Sequence, residues 1–195
     1  MAKKGLTKEK IVDAAMAQIE TGGLAAFSLR NLAAALQVQV SSLYNHVSGQ
    51  SALLEAVGLR AVELLVRAEE DAVAGKQAEE ALWALAEAYR GYAMAHPELY
   101  RLLVGVHHLR LPQVEAASAQ IVRPMLRVIA DFGVAGTLQI HYQRMLRRMM
   151  HGFFALSSGS GFFSSPGDRE ESYRISIAAM AAQLRAAGGN TDENQ

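Results

Sequence analysis

The stretch Gln37–Leu54, QVQVSSLYNHVSGQSALL, decides how the chain is read. It puts two serines, an aromatic and a histidine on a very short helix, then starts a second helix after Ser48-Gly49. A core helix has no use for so many hydrogen-bonding groups together, and an ordinary surface helix carries Lys and Glu instead.

The residues on either side give these groups a context. Thr7 is placed to cap a first helix carrying Ile11, Ala14, Ala15, Ala17, Gln18 and Ile19 at helical spacing. That helix stops at Thr21-Gly22-Gly23, where glycine accepts the left-handed C-cap conformation. Ser28 caps a short second helix with Leu29, Leu32, Ala33 and Leu36, and Gln37-Val38-Gln39 turns into a third over Ser41–His46. Val38 and Leu43 point inward and Val47 closes the end, which leaves Gln39, Val40, Ser41, Ser42, Tyr44 and His46 facing out. Two helices joined by a turn of about three residues follow the length pattern of a helix-turn-helix, whose second helix enters the major groove of DNA. Gln and Ser donate and accept at base edges, Val contacts a thymine methyl, and Tyr and His reach phosphate oxygens. Free backbone N–H groups at Ser48-Gly49-Gln50 offer a phosphate contact at the start of the next helix.

Downstream, the pattern predicts a long helix to about residue 73, then helices over about 78–95, 97–106, 112–131, 135–156 and 168–187. Pro97 ends the first of these five, and Pro124 kinks the third. With no sustained period-2 alternation the fold is read as all-α, with about nine helices. The expected division is a helix-turn-helix domain over 1–47 and a ligand-binding and dimerisation body over 48–195.

Composition bounds the function. With 51% hydrophobic residues in 195, a substantial core is available and disorder is disfavoured. The absence of cysteine excludes disulfides, thiolate catalysis and sulfur-ligated metal, and fits a reducing cytoplasm. The N-terminus MAKKGLTKEK leads into an amphipathic stretch and is not read as a secretory signal. No apolar run reaches the ~18 residues of a membrane span. A net charge of zero argues against a generalised polyanion binder. The first 50 residues set five basic side chains (Lys3, Lys4, Lys8, Lys10, Arg30) against three acidic ones (Glu9, Asp13, Glu20), so a mildly positive head sits on a mildly negative body.

Thr7-x-x-x-Ile11-x-x-Ala14-Ala15, Ser28-Leu29-Arg30-x-Leu32-Ala33, Val38, Ser42-Leu43-Tyr44-x-His46 and Leu53-Leu54 together resemble the N-terminal domain of TetR/AcrR-family transcriptional regulators. His96-Pro97-Glu98-Leu99-Tyr100 and His151-Gly152-Phe153 are similar to motifs of that family's WHG-type C-terminal domains. The resemblance implies a homodimeric repressor whose heads read two half-sites of a palindromic operator and whose body binds a small-molecule inducer. It implies base or near-base positions for Gln39, Val40, Ser41 and Tyr44, and backbone or groove-edge positions for Arg30, Ser42, His46 and Gln50. Two positions depart from the pattern: Gln50 where lysine is usual, and Gln37 where glycine is usual, so that a positive φ at Gln37 would be strained.

For the inducer, Tyr89, Tyr92, Tyr142, Met145, Met149 and Phe153 are the candidate pocket residues, since Met adapts its shape and Tyr adds a hydroxyl to an apolar wall. Ordinary bundle core is the competing reading for these stripes. For the dimer, the amphipathic last helix points to Ile177, Ala178, Ala181 and Leu184, with Phe162 and Phe163 resting on the partner. No cofactor or metal is expected. His107-His108 point in different directions, and His141 and His151 lack ligand spacing. Arg144, Arg147 and Arg148 read as a solvated helix face. No Ser/His/Asp constellation can be assembled, so an enzyme is not expected. The alternative to a regulator is an all-helical small-molecule-binding or adaptor protein without operator recognition.

Overall fold

The computed structural model describes residues 5–105, 111–158 and 168–189. Among these, the regular elements are all helical: α1 (Lys8–Gly22), α2 (Leu29–Ala35), α3 (Val40–Tyr44), α4 (Gln50–Val73), α5 (Ala78–Ala95) and α6 (Pro97–Val104). They continue with α7 (Pro112–Ala117), α8 (Val122–Ala130), α9 (Gly136–Ser158) and α10 (Arg169–Gly189), with one-turn 3-10 helices at Leu24–Ala26 and Ser118–Ile121. None of the described helices is long and apolar enough to cross a membrane. His107-His108 and Phe162-Phe163 lie outside the described residues.

The chain divides into two compact units, Met1–Leu64 with His96–Ala119 and Leu65–Ala95 with Gln120–Gln195. In the first, Thr7 Oγ1 accepts from the Lys10 N–H at 3.3 Å and Ser28 Oγ from the Asn31 N–H at 3.2 Å, as the capping positions in the sequence require. Ile11, Ala15, Ile19, Leu32 and Leu43 are fully or almost fully buried and fuse α1, α2 and α3 around one small core. Two short helices, α6 and α7, each begin on proline, which suits the first helical position because its missing N–H would be unsatisfied there. Each is then capped by a glutamate from elsewhere. Glu20 of α1 accepts from the Glu98 and Leu99 N–H groups at 3.3 and 3.4 Å, and Glu55 of α4 from the Gln113 N–H at 3.1 Å. A Cβ at Gly58 would meet Val114 Cγ2 at 2.6 Å, so only glycine lets α7 lie this close to α4.

In the second unit, Arg127 of α8 donates to the Val73 and Lys76 carbonyls at 3.1 and 2.6 Å and closes the C-terminus of α4. Tyr173 of α10 donates to the Ala86 carbonyl at 2.8 Å, its ring meets Phe153 edge-on at 5.3 Å, and Arg90 lies over it at 5.6 Å. These contacts join α5, α9 and α10. At the far end of α10, a Cβ at Gly188 would fall 1.7 Å from the Phe132 carbonyl oxygen, so glycine is required for that approach.

The helix expected over about 112–131 is instead broken by the Ser118–Ile121 3-10 turn. The cause is the feature that predicted a kink. Pro124 sits in the first turn of α8, where its ring excludes an uninterrupted α-helix through residue 120.

Candidate nucleic-acid interface

The turn between α2 and α3 is a Schellman closure. The Val38 N–H bonds the Ala33 carbonyl at 3.0 Å and the Gln37 N–H the Ala34 carbonyl at 3.1 Å, which places Gln37 at the left-handed position with φ 55°. The fold keeps this geometry although Gln37 carries a Cβ, at a cost of about 1 kcal/mol. The turn aims α3 so that Leu43 and Val47 enter the core while the opposite side stays in solvent.

Gln39, Ser41, Tyr44, His46 and Gln50 are exposed, Tyr44 at 55% of its surface. Val40 and Ser42 are half-buried at the edge of the same surface, and Arg30 is exposed on α2. The structure therefore leaves every one of these side chains at least partly accessible on consecutive elements of one unit. It adds Asn45, exposed one helical turn after Ser41 at the end of α3, which the sequence reading passed over because it is the unspecified position of Ser42-Leu43-Tyr44-x-His46. Nearby, Glu9 is held below the usual carboxylate range, first by a backbone N–H and then by the Thr7 hydroxyl, with smaller contributions from Lys8 and His46.

The body is less concentrated. Tyr89 and Tyr92 are buried on α5, Tyr142, Met149 and Phe153 are half-buried on α9, and Met145 is exposed. A groove of about 300 Å³ in the second unit is lined by Glu70, Val73, Arg123, Pro124 and Arg127, none of which was a pocket candidate. The expectation for the dimer surface is corrected. Ile177, Ala181 and Leu184 are fully buried within the chain and cannot meet a partner; of the four residues only Ala178 is exposed. The buried stripe of α10 packs inward, and the outer side instead carries Ile175, Ala178, Ala179, Ala182 and Ala186. Leu138, Met145 and Leu156 are similarly exposed on α9.

A capped three-helix head with a polar, solvent-facing third helix, followed by an all-helical body, defines a helix-turn-helix DNA-binding regulator. Residues 11–57 match the family model for bacterial regulatory proteins of the tetR family, and residues 82–180 match the tetracyclin repressor-like C-terminal domain. The chain belongs to the TetR family of transcriptional regulators. It is 32% identical over 176 residues to the HTH-type transcriptional regulator YobS of Bacillus subtilis (strain 168), covering 89% of this chain and 88% of that protein. Rv0681 of Mycobacterium tuberculosis (strain ATCC 25618 / H37Rv), also an HTH-type transcriptional regulator, is 28% identical over 155 residues, 77% of this chain and 70% of that one. A solved structure from Rhodococcus sp. RHA1 superposes with a TM-score of 0.76 at 25% identity over 94% of this chain and 98% of its own. The fold is shared with Streptomyces coelicolor ActR in complex with (S)-DNPA, at a TM-score of 0.63 and 19% identity over 94% of this chain and 99% of that one.

Proposed function

We propose that the chain is a ligand-released repressor that binds a palindromic operator as a homodimer. The observation that carries the reading is the outer face of α3. Small hydrogen-bonding side chains are exposed there on a helix whose opposite face, through Leu43, is locked into the core. In this reading residues 1–47 form the DNA-binding domain and residues 48–195 the body. Gln39, Val40, Ser41 and Tyr44 approach the bases, with Asn45 beside them, while Arg30, Ser42, His46 and Gln50 approach the backbone. The exposed apolar faces of α9 and α10 meet their copies across a two-fold axis, as a surface of this kind favours. This fixes two recognition helices about one DNA turn apart, ~34 Å, or a multiple of it.

The effector is a small molecule held in the body, with Tyr142, Met149 and Phe153 in the most suitable positions because they are only half-buried. The ligand complex of the structurally similar ActR supports such a role for the body. An effector that favours a different head separation weakens DNA binding, and DNA weakens effector binding by the same factor. A shift assay with duplex from the protein's own upstream region, against an unrelated duplex, tests the reading. Selective retardation is expected. No retardation of either duplex at micromolar protein would favour the adaptor alternative.

A further inference from the structure

Glu69 lies where an apolar side chain belongs. It shares a face of α4 with Leu65, Val66 and Val73, all buried, and is itself 0% exposed. Both of its carboxylate oxygens are sealed from solvent and lack a hydrogen-bond partner among the described residues. The contrast with Glu20 and Glu55, which each cap a helix terminus, is sharp. Burying an ionised carboxylate unpaired costs several kcal/mol, so a residue that served packing alone would be leucine or methionine here.

A charge able to satisfy Glu69 is close by. Arg147, half-buried on α9, is near enough to favour the ionised carboxylate, yet the two form no ion pair. Its guanidinium has no other ion pair or hydrogen bond among the described residues. Glu70, adjacent on α4, opposes ionisation, and His151, one turn beyond Arg147, is held below its usual range by burial and then by Arg147. Burial is the dominant influence on Glu69 and raises its pKa well above the ordinary carboxylate value.

We propose that Glu69 and Arg147 form a two-position switch in the body: the arrangement described here holds the Glu69 carboxyl without a partner, and a second, more open arrangement joins it to Arg147. In the closed form the desolvated carboxyl keeps its proton, and on opening it releases that proton to solvent and pairs with the guanidinium. This deepens the reading of the body as the part that changes state, because it names the bistable element on which an effector would act.

The linkage has a definite sign. With its folded pKa raised, the closed form binds a proton that the open and unfolded forms release. Its stability is therefore full below the ordinary carboxylate range and is lost as pH rises toward the raised value.

Hydrogen–deuterium exchange of the full chain at pH 6, 7 and 8 tests this, read on peptides covering 65–73 and 143–151 and corrected for intrinsic rates. Protection of the wild type should fall by up to about tenfold per pH unit, the limit for one proton per opening. Glu69→Gln should abolish that dependence, and Arg147→Gln should restore severalfold protection at pH 8. Equal pH dependence in wild type and Glu69→Gln, or unchanged protection at pH 8 in Arg147→Gln, would overturn the switch. Thermal unfolding of Glu69→Leu gives an independent check: it should gain more stability at pH 8 than at pH 5, and a loss at both would contradict the proposal. Neither readout requires DNA, so their failure leaves operator binding standing, and failure of the shift assay leaves them standing.

Discussion

Two faces of this chain are open to solvent for opposite chemical reasons. The outer side of α3 presents Gln39, Ser41, Tyr44 and Asn45, groups that exchange hydrogen bonds with water for hydrogen bonds with a hydrated polyanion. The outer sides of α9 and α10 present Leu138, Met145, Leu156 and Ile175 together with four alanines, and gain nothing from water. Both are amphipathic helices with one side in a core, so amphipathicity alone does not identify the partner. What remains on the outer side differs, polar and small at one face and apolar and small at the other, and the proposed partners follow that difference.

The largest expected effect comes from making the apolar face resemble the polar one. In the proposed homodimer Ala182→Glu puts two like charges at the two-fold contact and should weaken association by at least about 3 kcal/mol, a hundredfold or more in dissociation constant. Sedimentation velocity across a concentration series reads this directly. Ile177→Glu is a less informative change, because Ile177 is fully buried and its replacement would unfold the chain rather than separate two copies.

Next in size is Tyr44→Ala, which should cost roughly 1–3 kcal/mol of operator affinity while leaving the melting temperature nearly unchanged, since the side chain is largely exposed. A collapse of thermal stability would assign Tyr44 to packing. Gln50→Lys should act more weakly and without sequence preference. It adds about one phosphate contact per head and steepens the salt dependence of log K by about 2 per dimer. A gain confined to one sequence would place residue 50 at a base edge. The smallest effect belongs to the turn. Gln37→Gly relieves the positive φ but frees the unfolded chain, so stability should rise by less than about 1 kcal/mol by denaturant titration.

Much of this was legible in the sequence because local chemistry sets it. Thr7 and Ser28 are where capping hydroxyls must be, and Pro97 marks the α5–α6 break, whereas the left-handed position at Gln37 was implied by the family resemblance. Pro124 announced a kink, but the one-turn 3-10 form it takes at Ser118–Ile121 and the exact limits of α3 are not resolved by periodicity. The misassignment of Ile177, Ala181 and Leu184 is more instructive. A helical stripe of apolar residues has the same spacing whether it faces its own core or a second copy, and only the packing of α10 within its own unit separates the two. Glu69 was invisible for the converse reason: a single acid in an apolar stripe looks like a surface residue until the neighbouring helices are in place.

The central claim is that two chains act together on one DNA site. Sedimentation equilibrium of the protein with a duplex from its own upstream region, at a series of salt concentrations, measures the mass of the complex directly. Two chains per site are expected, with affinity falling as salt rises. A complex containing one chain per site, or none at any salt concentration, would contradict it.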